Sequence, residues 1–203
     1  MAKLYFHYAT MNAGKSTMLL QASYNYRESG MHTLLLVAGH YRKQDQGYIS
    51  SRIGLESDAD MFRDGDDLFE LVAEHHRHRR IHCVFVDEAQ FLEDGQVWQL
   101  ARVVDRLDVP VMCYGLRTDF QGNLFSGSKS LLAIADELRE VRTICPCGRK
   151  ATMVVRLGAD GKVAKEGDQV AIGKDVYRSL CRRHWEEEMG RIAPEDFIGF
   201  AGG

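Results

Sequence analysis

The chain has 203 residues, of which 45% are hydrophobic and 27% charged, proportions typical of a globular protein with one domain and a small appendage. A formal net charge of -3 argues against a nucleic-acid-binding surface, and no apolar run approaches the roughly 20 residues of a membrane span. The number of cysteines, five, is odd, and Cys83 and Cys113 lie inside apolar runs. Reduced, buried thiols and the lack of a visible signal peptide predict a cytoplasmic protein.

Strand-like and helix-like patterns alternate over the first 144 residues. Apolar runs of strand length cover residues 4–8, 33–38, 81–87, 109–114 and 139–144. Helical spacing covers residues 67–78, 96–107 and 131–135, and it also follows the first strand, with Leu19, Ala22 and Tyr26 on one face. Residues 39–67 are polar and punctuated by glycine, which predicts a long loop. The alternation predicts an α/β fold, in which helices flank a parallel sheet that binds ligands at the carboxyl ends of its strands.

The pattern changes at Cys145. From there to His184 the chain has β-type runs, glycines and no long helix, and Ala159-Asp160-Gly161-Lys162 predicts a hairpin turn. We therefore predict an α/β domain at residues 1–143, a small second domain at 144–190 and a tail at 191–203. The glycine-rich end of that tail, residues 199–203, is predicted to fray.

Eight residues with the layout of a phosphate-binding P-loop join the first strand to the first helix: Ala9-Thr10-Met11-Asn12-Ala13-Gly14-Lys15-Ser16. In such a loop the backbone N–H groups and the positive end of the helix point at phosphate oxygens. Lys15 would reach the outer phosphates, and Ser16 would offer its hydroxyl to Mg²⁺. Ala9 stands where the usual pattern has its first glycine, so an ordinary strand-to-helix turn is the alternative. The flanking strand and helix favour the phosphate site.

The third strand ends in two carboxylates, within Asp87-Glu88-Ala89-Gln90-Phe91. Asp87 at the strand tip suits Mg²⁺ opposite Ser16, directly or through water, and Glu88 beside it suits a general base. The alternative for Glu88 is a solvated acid at a strand end, which the P-loop about 70 residues upstream disfavours. The pair alone does not distinguish an ATPase, which activates water, from a kinase, which activates a substrate hydroxyl.

Three cysteines and one histidine form two pairs, Cys145-x-Cys147 and Cys181-x-x-His184. Four such ligands match a closed tetrahedral structural zinc site, and Gly148 eases the turn after the first pair. A disulfide is disfavoured in a reducing compartment, and a catalytic zinc is disfavoured because four ligands leave no open position. The alternative is unpaired thiols beside a surface histidine.

Taken in order, four motifs resemble those of the type II (cellular and bacterial) thymidine kinases, particularly the enterobacterial kind. They are Met11-Asn12-Ala13-Gly14-Lys15-Ser16, Asp87-Glu88-Ala89-Gln90-Phe91, Tyr114-Gly115-Leu116-Arg117-Thr118-Asp119-Phe120, and Ile172-Gly173 followed by Tyr177 and Cys181-x-x-His184. The resemblance covers about residues 3–185. It implies a P-loop NTPase-like sheet with a small zinc-ribbon-like domain that carries a lasso loop. It also implies transfer of the γ-phosphoryl group of ATP to the 5′-hydroxyl of thymidine.

The resemblance assigns roles to individual residues. ATP and Mg²⁺ would be bound by the eight P-loop residues together with Asp87 and Gln90, and Glu88 would activate the 5′-hydroxyl. The apolar pocket around the base would consist of Phe91, Leu116, Phe120 and Phe125. The lasso, residues 163–177, would contribute Val170, Ile172, Gly173 and Tyr177. The structural zinc would be held by Cys145, Cys147, Cys181 and His184.

The resemblance also implies partners. Such enzymes are typically homotetramers, many are inhibited by thymidine triphosphate (dTTP), and no nucleic-acid or membrane partner follows. Two segments depart from the family's pattern. Ile172-Gly173-Lys174 replaces the usual Ile-Gly-Gly of the lasso, and residues 41–46 replace Asp-x-Arg-Tyr or Phe near the phosphates, where Arg42 or Lys43 could supply the cation.

Two other functions stay open at this point. A pocket of apolar side chains and backbone contacts does not fix tolerance for the 5-methyl group, so the substrate could be deoxyuridine or a wider set of nucleosides. A P-loop protein with a zinc ribbon could instead hydrolyse ATP on nucleic acid. The net charge of -3 and the lack of a basic-aromatic stripe disfavour that second function.

Overall fold

The computed structural model of the protein describes residues 1–39, 47–169 and 176–192. Its helices and strands, in chain order, are β1 (Leu4–Ala9), α1 (Lys15–Glu28), β2 (Thr33–Ala38), β3 (Tyr48–Ser50), β4 (Glu56–Asp58), β5 (Asp60–Phe62), α2 (Leu68–His78), β6 (Cys83–Asp87), a 3₁₀ turn (Ala89–Phe91), α3 (Asp94–Leu107), β7 (Val111–Leu116), α4 (Ser126–Ile134), β8 (Glu137–Glu140), β9 (Thr143–Ile144), β10 (Lys150–Ala151), β11 (Met153–Leu157), β12 (Val176–Leu180) and α5 (Arg182–Glu188). Within these ranges, no helix has the length and apolar character needed to cross a membrane.

Six strands form one parallel sheet in the order β5-β2-β6-β7-β1-β8. Both β2 and β6 are buried along their whole length, as strands covered on two faces must be. One face packs against α2, α3 and α4 through residues such as Val72, Leu100 and Leu131. The other face packs against α1 through Leu19 and Leu20. The predicted α/β sheet flanked by helices is therefore confirmed.

Local capping explains where two of the helices begin. The Asp67 carboxylate accepts hydrogen bonds from the N–H groups of Phe69 (3.0 Å) and Glu70 (3.1 Å) and so starts α2. Glu93 and Gln96 form a reciprocal capping box, which starts α3 at Asp94, two residues before the predicted position. The short helix predicted at residues 131–135 starts earlier, at Ser126.

Two predictions about strands were wrong. The described part of the supposed loop, residues 47–67, contains β3, β4 and β5; β3 pairs with β4, and β5 joins the main sheet beside β2. These strands have three residues each, too few to carry a readable alternation. The single strand predicted at residues 139–144 is two strands: β8 continues the main sheet, whereas β9 pairs antiparallel with β10.

The C-terminal segment builds a separate cluster of buried side chains. β11 and β12 form an antiparallel pair, and α5 packs beside them through Trp185. This cluster includes Cys145, Val155, Leu180 and Cys181. The hairpin turn predicted at residues 159–162 is confirmed, with the Gly161 N–H donating to the Gly158 carbonyl at 2.9 Å.

A buried histidine on β1 carries an electrostatic cost. His7 on β1 is 5% exposed and stacks on Tyr114 with ring centroids 4.4 Å apart. In the described part of the chain neither of its ring nitrogens has a hydrogen-bond partner. Burial, with a smaller contribution from Arg139, lowers the pKa of His7 from 6.5 to about 4.

This pKa shift makes stability depend on pH. The unfolded chain binds the proton more tightly, so the free energy of unfolding falls as pH falls from 6.5 towards 4. Replacement of His7 by Phe keeps a ring against Tyr114 and removes the titration. Between pH 7.5 and pH 4.5 we expect the variant to gain about 2 kcal/mol of stability relative to wild type, because only wild type loses stability through this titration. Urea unfolding at both pH values measures it, and a pH-independent difference would contradict the assignment.

Candidate functional site

Three strand ends meet at the carboxyl edge of the sheet. The pairing of β1 with β7 puts Ala9 opposite Leu116. The neighbour of β7 on its other side is β6, which ends at Asp87. The eight-residue loop after β1, the two carboxylates and the segment after β7 therefore start from neighbouring positions. This is the edge at which parallel sheets bind ligands.

The loop after β1 has the backbone geometry of an anion site. Asn12 and Gly14 adopt left-handed conformations, with φ of 61° and 85°. In the described structure no side chain caps the start of α1, which leaves its first N–H groups to a ligand or solvent. The Lys15 ammonium donates to the Thr10 carbonyl at 3.0 Å. Burial lowers the pKa of Lys15, and the charges of Glu88 and Asp87 oppose that shift.

Ser16 and Asp87 meet across the sheet edge. The Ser16 hydroxyl donates to Oδ2 of Asp87 at 2.9 Å. Asp87 is 3% exposed, and its Oδ1 has no hydrogen-bond partner among the described residues. Burial and the adjacent Glu88 charge raise the pKa of Asp87 to about 6. A buried carboxylate oxygen without a partner, next to a hydroxyl, fits a hard cation such as Mg²⁺.

Glu88 is held by a residue two positions further on. Its backbone is left-handed, with φ of 54°, and its carboxylate Oε2 accepts from Nε2 of Gln90 at 2.5 Å. The other end of the Gln90 amide, Oε1, accepts from the Leu116 N–H at 3.0 Å, which fixes the orientation of the amide. A Cβ on Gly115 would lie 3.0 Å from that Oε1, so a glycine there permits the close approach. The side chain of Gln90 thus contacts Glu88.

The four residues predicted for the apolar pocket lie at or after the ends of β6 and β7 along the chain. Phe91 and Phe125 pack edge to face with ring centroids 5.9 Å apart. Leu116 is half-buried at the end of β7, and its carbonyl accepts from the Ser128 hydroxyl at 2.5 Å. Phe120 is fully buried beneath the Arg156 guanidinium, 4.0 Å from its ring centroid. A continuous pocket around a base therefore stays a prediction.

The two Cys/His pairs come together as predicted. The ligand atoms of Cys145, Cys147, Cys181 and His184 all lie within 4.8 Å of one another. The Cys145 Sγ is 3.2 Å from Nδ1 of His184, and the Sγ atoms of Cys147 and Cys181 are 3.9 Å apart. A Cys₃His set at these spacings fits tetrahedral Zn²⁺, and its thiolates would be bridged by the metal.

Several predicted residues fall outside the described residues. Among the predicted site residues these are Val170, Ile172 and Gly173 of the lasso. The two segments that depart from the family's pattern, at residues 41–46 and at Lys174, and the tail from residue 193 also lie outside the described residues. The described residues on either side are held: Gln169 donates from Nε2 to Oδ2 of Asp119 at 3.0 Å, and Tyr177 lies in β12.

Sequence reasoning missed the polar residues that hold this edge together. Arg156 donates to the carbonyl of Asp168 at 2.8 Å, and Asp119 also accepts from the N–H groups of Gln121 and Asn123. Ser179 on β12 bonds to the P-loop. Arg156 and Ser179 belong to none of the motifs, and Asp119 lies in one without an assigned role, so the folded contacts reveal what these residues do. A strand-borne arginine in an otherwise apolar run, Val154-Val155-Arg156, is the one signal that the sequence offers.

Known proteins resemble this chain over nearly its whole length. A family model described as thymidine kinase matches residues 2–185. A thymidine kinase of Mesorhizobium japonicum is 82% identical, over 98% of both chains. One from Rhizobium meliloti is 65% identical over 93% of this chain and 98% of its own length. One from Haemophilus influenzae is 57% identical over 95% of this chain and 100% of its own.

The Cys/His cluster predicts a metal content that can be measured directly. Protein purified without added metal is expected to contain about one zinc per chain, because four converging N and S ligands bind it strongly. Substitution of Cys181 by Ser should remove most of that zinc and lower the unfolding temperature. Substitution of Cys113 by Ala, a buried thiol outside the cluster, should leave the zinc in place. Atomic emission and thermal unfolding give both values, and a folded, active protein without metal would refute the site.

Proposed function

The chain belongs to the thymidine kinase family, and from this premise we propose that it transfers the γ-phosphoryl group of ATP to the 5′-hydroxyl of thymidine. The products would be thymidine monophosphate and ADP. The observation that carries the proposal is the position of Glu88: it follows the buried Asp87, lies close enough to influence Lys15 electrostatically, and is oriented by Gln90. A carboxylate held beside a phosphate loop suits activation of a hydroxyl.

The phosphate side would be assembled from the P-loop. Backbone N–H groups of residues 9–16 and the start of α1 would surround the phosphates, and Lys15 would exchange its contact with the Thr10 carbonyl for phosphate oxygens. The Ser16 hydroxyl and Oδ1 of Asp87 fit a magnesium ion. When bound with ATP, that ion supplies neutralisation of charge on the β- and γ-phosphates.

Glu88 would act on the nucleoside. Its carboxylate would accept the 5′-hydroxyl proton while that oxygen forms a bond to the γ-phosphorus. The bond between this phosphorus and the β–γ bridging oxygen breaks, and ADP leaves with the electron pair. Gln90 would keep the Glu88 carboxylate aimed at the hydroxyl through its own bond to the Leu116 N–H. Most of the acceleration would come from positioning and charge neutralisation.

The nucleoside would lie beside the segment that follows β7. Phe91 and Phe125 form an apolar edge-to-face pair, against which the pyrimidine ring would pack. Residues 163–177, including Val170, Ile172, Gly173 and Tyr177, would close over it. The role of this loop is assigned from the family resemblance. Backbone groups that would recognise the edge of the base lie between Gln169 and Val176, outside the described residues.

The finer properties that we propose concern assembly and context. Residues 1–143 would form the nucleotide-binding domain, 144–190 the zinc domain and 191–203 a tail. dTTP shares the thymine base and would occupy the nucleoside site as a feedback inhibitor. A homotetramer is proposed from the family resemblance, and the exposed apolar side chains Met18 and Tyr24 on α1 and Leu138 on the edge strand β8 are available for contacts between subunits. The unpaired thiols support a cytoplasmic enzyme of DNA-precursor synthesis, without nucleic-acid or membrane partners.

Replacement of Glu88, the proposed general base, should affect the chemical step but not the binding of thymidine. Glu88→Gln keeps the shape of the side chain and removes its proton affinity, so kcat should fall by about 10²- to 10⁴-fold. The affinity for thymidine, measured by calorimetry, should stay within about threefold because the base pocket is unchanged. Glu70→Gln, on the exposed face of α2, is the matched control and should behave as wild type. Near-wild-type turnover of Glu88→Gln would remove it from the mechanism.

The function itself is tested by ADP release from Mg·ATP with no nucleoside, then with thymidine, deoxyuridine, deoxycytidine or deoxyguanosine. We expect strong stimulation by thymidine with thymidine monophosphate appearing in equal amount. Equal stimulation by deoxyuridine would broaden the substrate class, since the pocket would then not sense the methyl group. ADP release that ignores every nucleoside would refute the kinase assignment.

A further inference from the structure

β12 borders the P-loop and hydrogen-bonds to it at three points. The Ser179 hydroxyl donates to the Met11 carbonyl at 2.6 Å. The Thr10 hydroxyl donates to Oγ of Ser179 at 3.2 Å, and Nδ2 of Asn12 donates to the Tyr177 carbonyl at 3.3 Å. Ser179 therefore contacts two consecutive P-loop residues, Thr10 and Met11, and Tyr177 on the same strand contacts the next one, Asn12.

These contacts support a loop that is costly to hold in place. Asn12 has φ of 61°, a left-handed conformation that residues other than glycine adopt only at an energetic cost. Thr10, whose carbonyl receives the Lys15 ammonium, is 7% exposed and bonds to Ser179 through its side chain. The hydrogen bonds from β12 to Thr10, Met11 and Asn12 fix the orientation of the loop's backbone groups without a bound phosphate.

The same strand leads directly to the Cys/His cluster. Ser179 is followed by Leu180, which is buried in the C-terminal core, and then by Cys181. The pairing of β12 with β11 sets Ser179 opposite Val154, and the Thr152 N–H donates to the Leu180 carbonyl at 3.0 Å. The position of the Ser179 hydroxyl is thus fixed by β12, and the residue that follows this strand, Cys181, belongs to the Cys/His cluster.

We propose that Ser179 is a positioning residue for the phosphate loop and links the order of the metal-bound hairpin to ATP affinity. The inference rests on the proposed function, in that it takes the loop after β1 to be the ATP site. It assigns no chemical step to Ser179. Loss of its hydroxyl should weaken ATP binding selectively, because the contacts of Ser179 are with Thr10 and Met11.

Substitution of Ser179 by Ala in the full-length, zinc-loaded protein is the direct test. The KM for Mg·ATP should rise about 5- to 10-fold, while the KM for thymidine changes less than about twofold. Ser179→Thr keeps the hydroxyl and should recover most of the loss. Arg178→Gln is the control on the same strand: its side chain points to the opposite face, where it pairs with Glu188 on the surface. Its KM for Mg·ATP should match that of wild type.

Calorimetric titration with Mg·ADP in the absence of nucleoside reports the same contact without turnover. A weaker affinity in Ser179→Ala, at unchanged zinc content, supports the inference even if thymidine proves not to be the substrate. An unchanged Mg·ADP affinity, or equal rises in both KM values, would overturn it while leaving the kinase assignment intact. If Ser179→Ala does not fold, Thr10→Val removes the donor on the other side of the same bond and should give the same selective loss.

Discussion

The parallel pairing of β1, β7 and β6 is the constraint on which the candidate site depends. Because neighbouring strands run in the same direction, their carboxyl ends lie at one edge, and the loop after each begins there. Ser16 at the start of α1 can reach Asp87 only because one strand, β7, separates β1 from β6. A slip of one residue between β6 and β7 would turn Asp87 to the other face of the sheet, and a slip between β1 and β7 would displace the loop that leads to Ser16.

Burial makes the charges of Lys15 and Asp87 at this edge costly within the fold itself, and a bound ligand of opposite charge would relieve that cost. Burial pushes the pKa of Lys15 down and that of Asp87 up, so both charged forms are disfavoured by their surroundings. One Asp87 oxygen has no partner among the described residues, a deficit that costs about 1–3 kcal/mol in an ordinary protein interior. A cation and phosphates would supply the opposite charges that both groups need. Affinity for them would then be drawn from interactions that folding leaves incomplete.

Much of this could be predicted from sequence because the signals are local. The strands that bear the P-loop and Asp87 are apolar runs, and the Cys/His pairs have metal-binding spacing. The edge strand β5 was missed because three residues carry no period, and the first turn of α4 was missed because Gly127 and Ser128 favour loops. Gly127 is in the helix for a non-local reason: a Cβ there would lie 2.5 Å from the Ala89 carbonyl oxygen. Contacts such as Ser179 with Met11 join residues 168 positions apart, and no local pattern encodes them.

The β11–β12 hairpin faces both proposed substrates from one surface. Arg156 lies opposite Tyr177 in the pairing, and residues 177 and 179 share a face of β12. Arg156 ties the segment at Asp168 to the ring of Phe120, on the nucleoside side, whereas Ser179 ties the P-loop, on the phosphate side. Metal loss would loosen the hairpin and disturb both sides together, but a change at Ser179 would disturb one. A variant that loses the metal should therefore weaken the binding of both substrates, whereas a variant that loses only the Ser179 hydroxyl should weaken the binding of ATP alone.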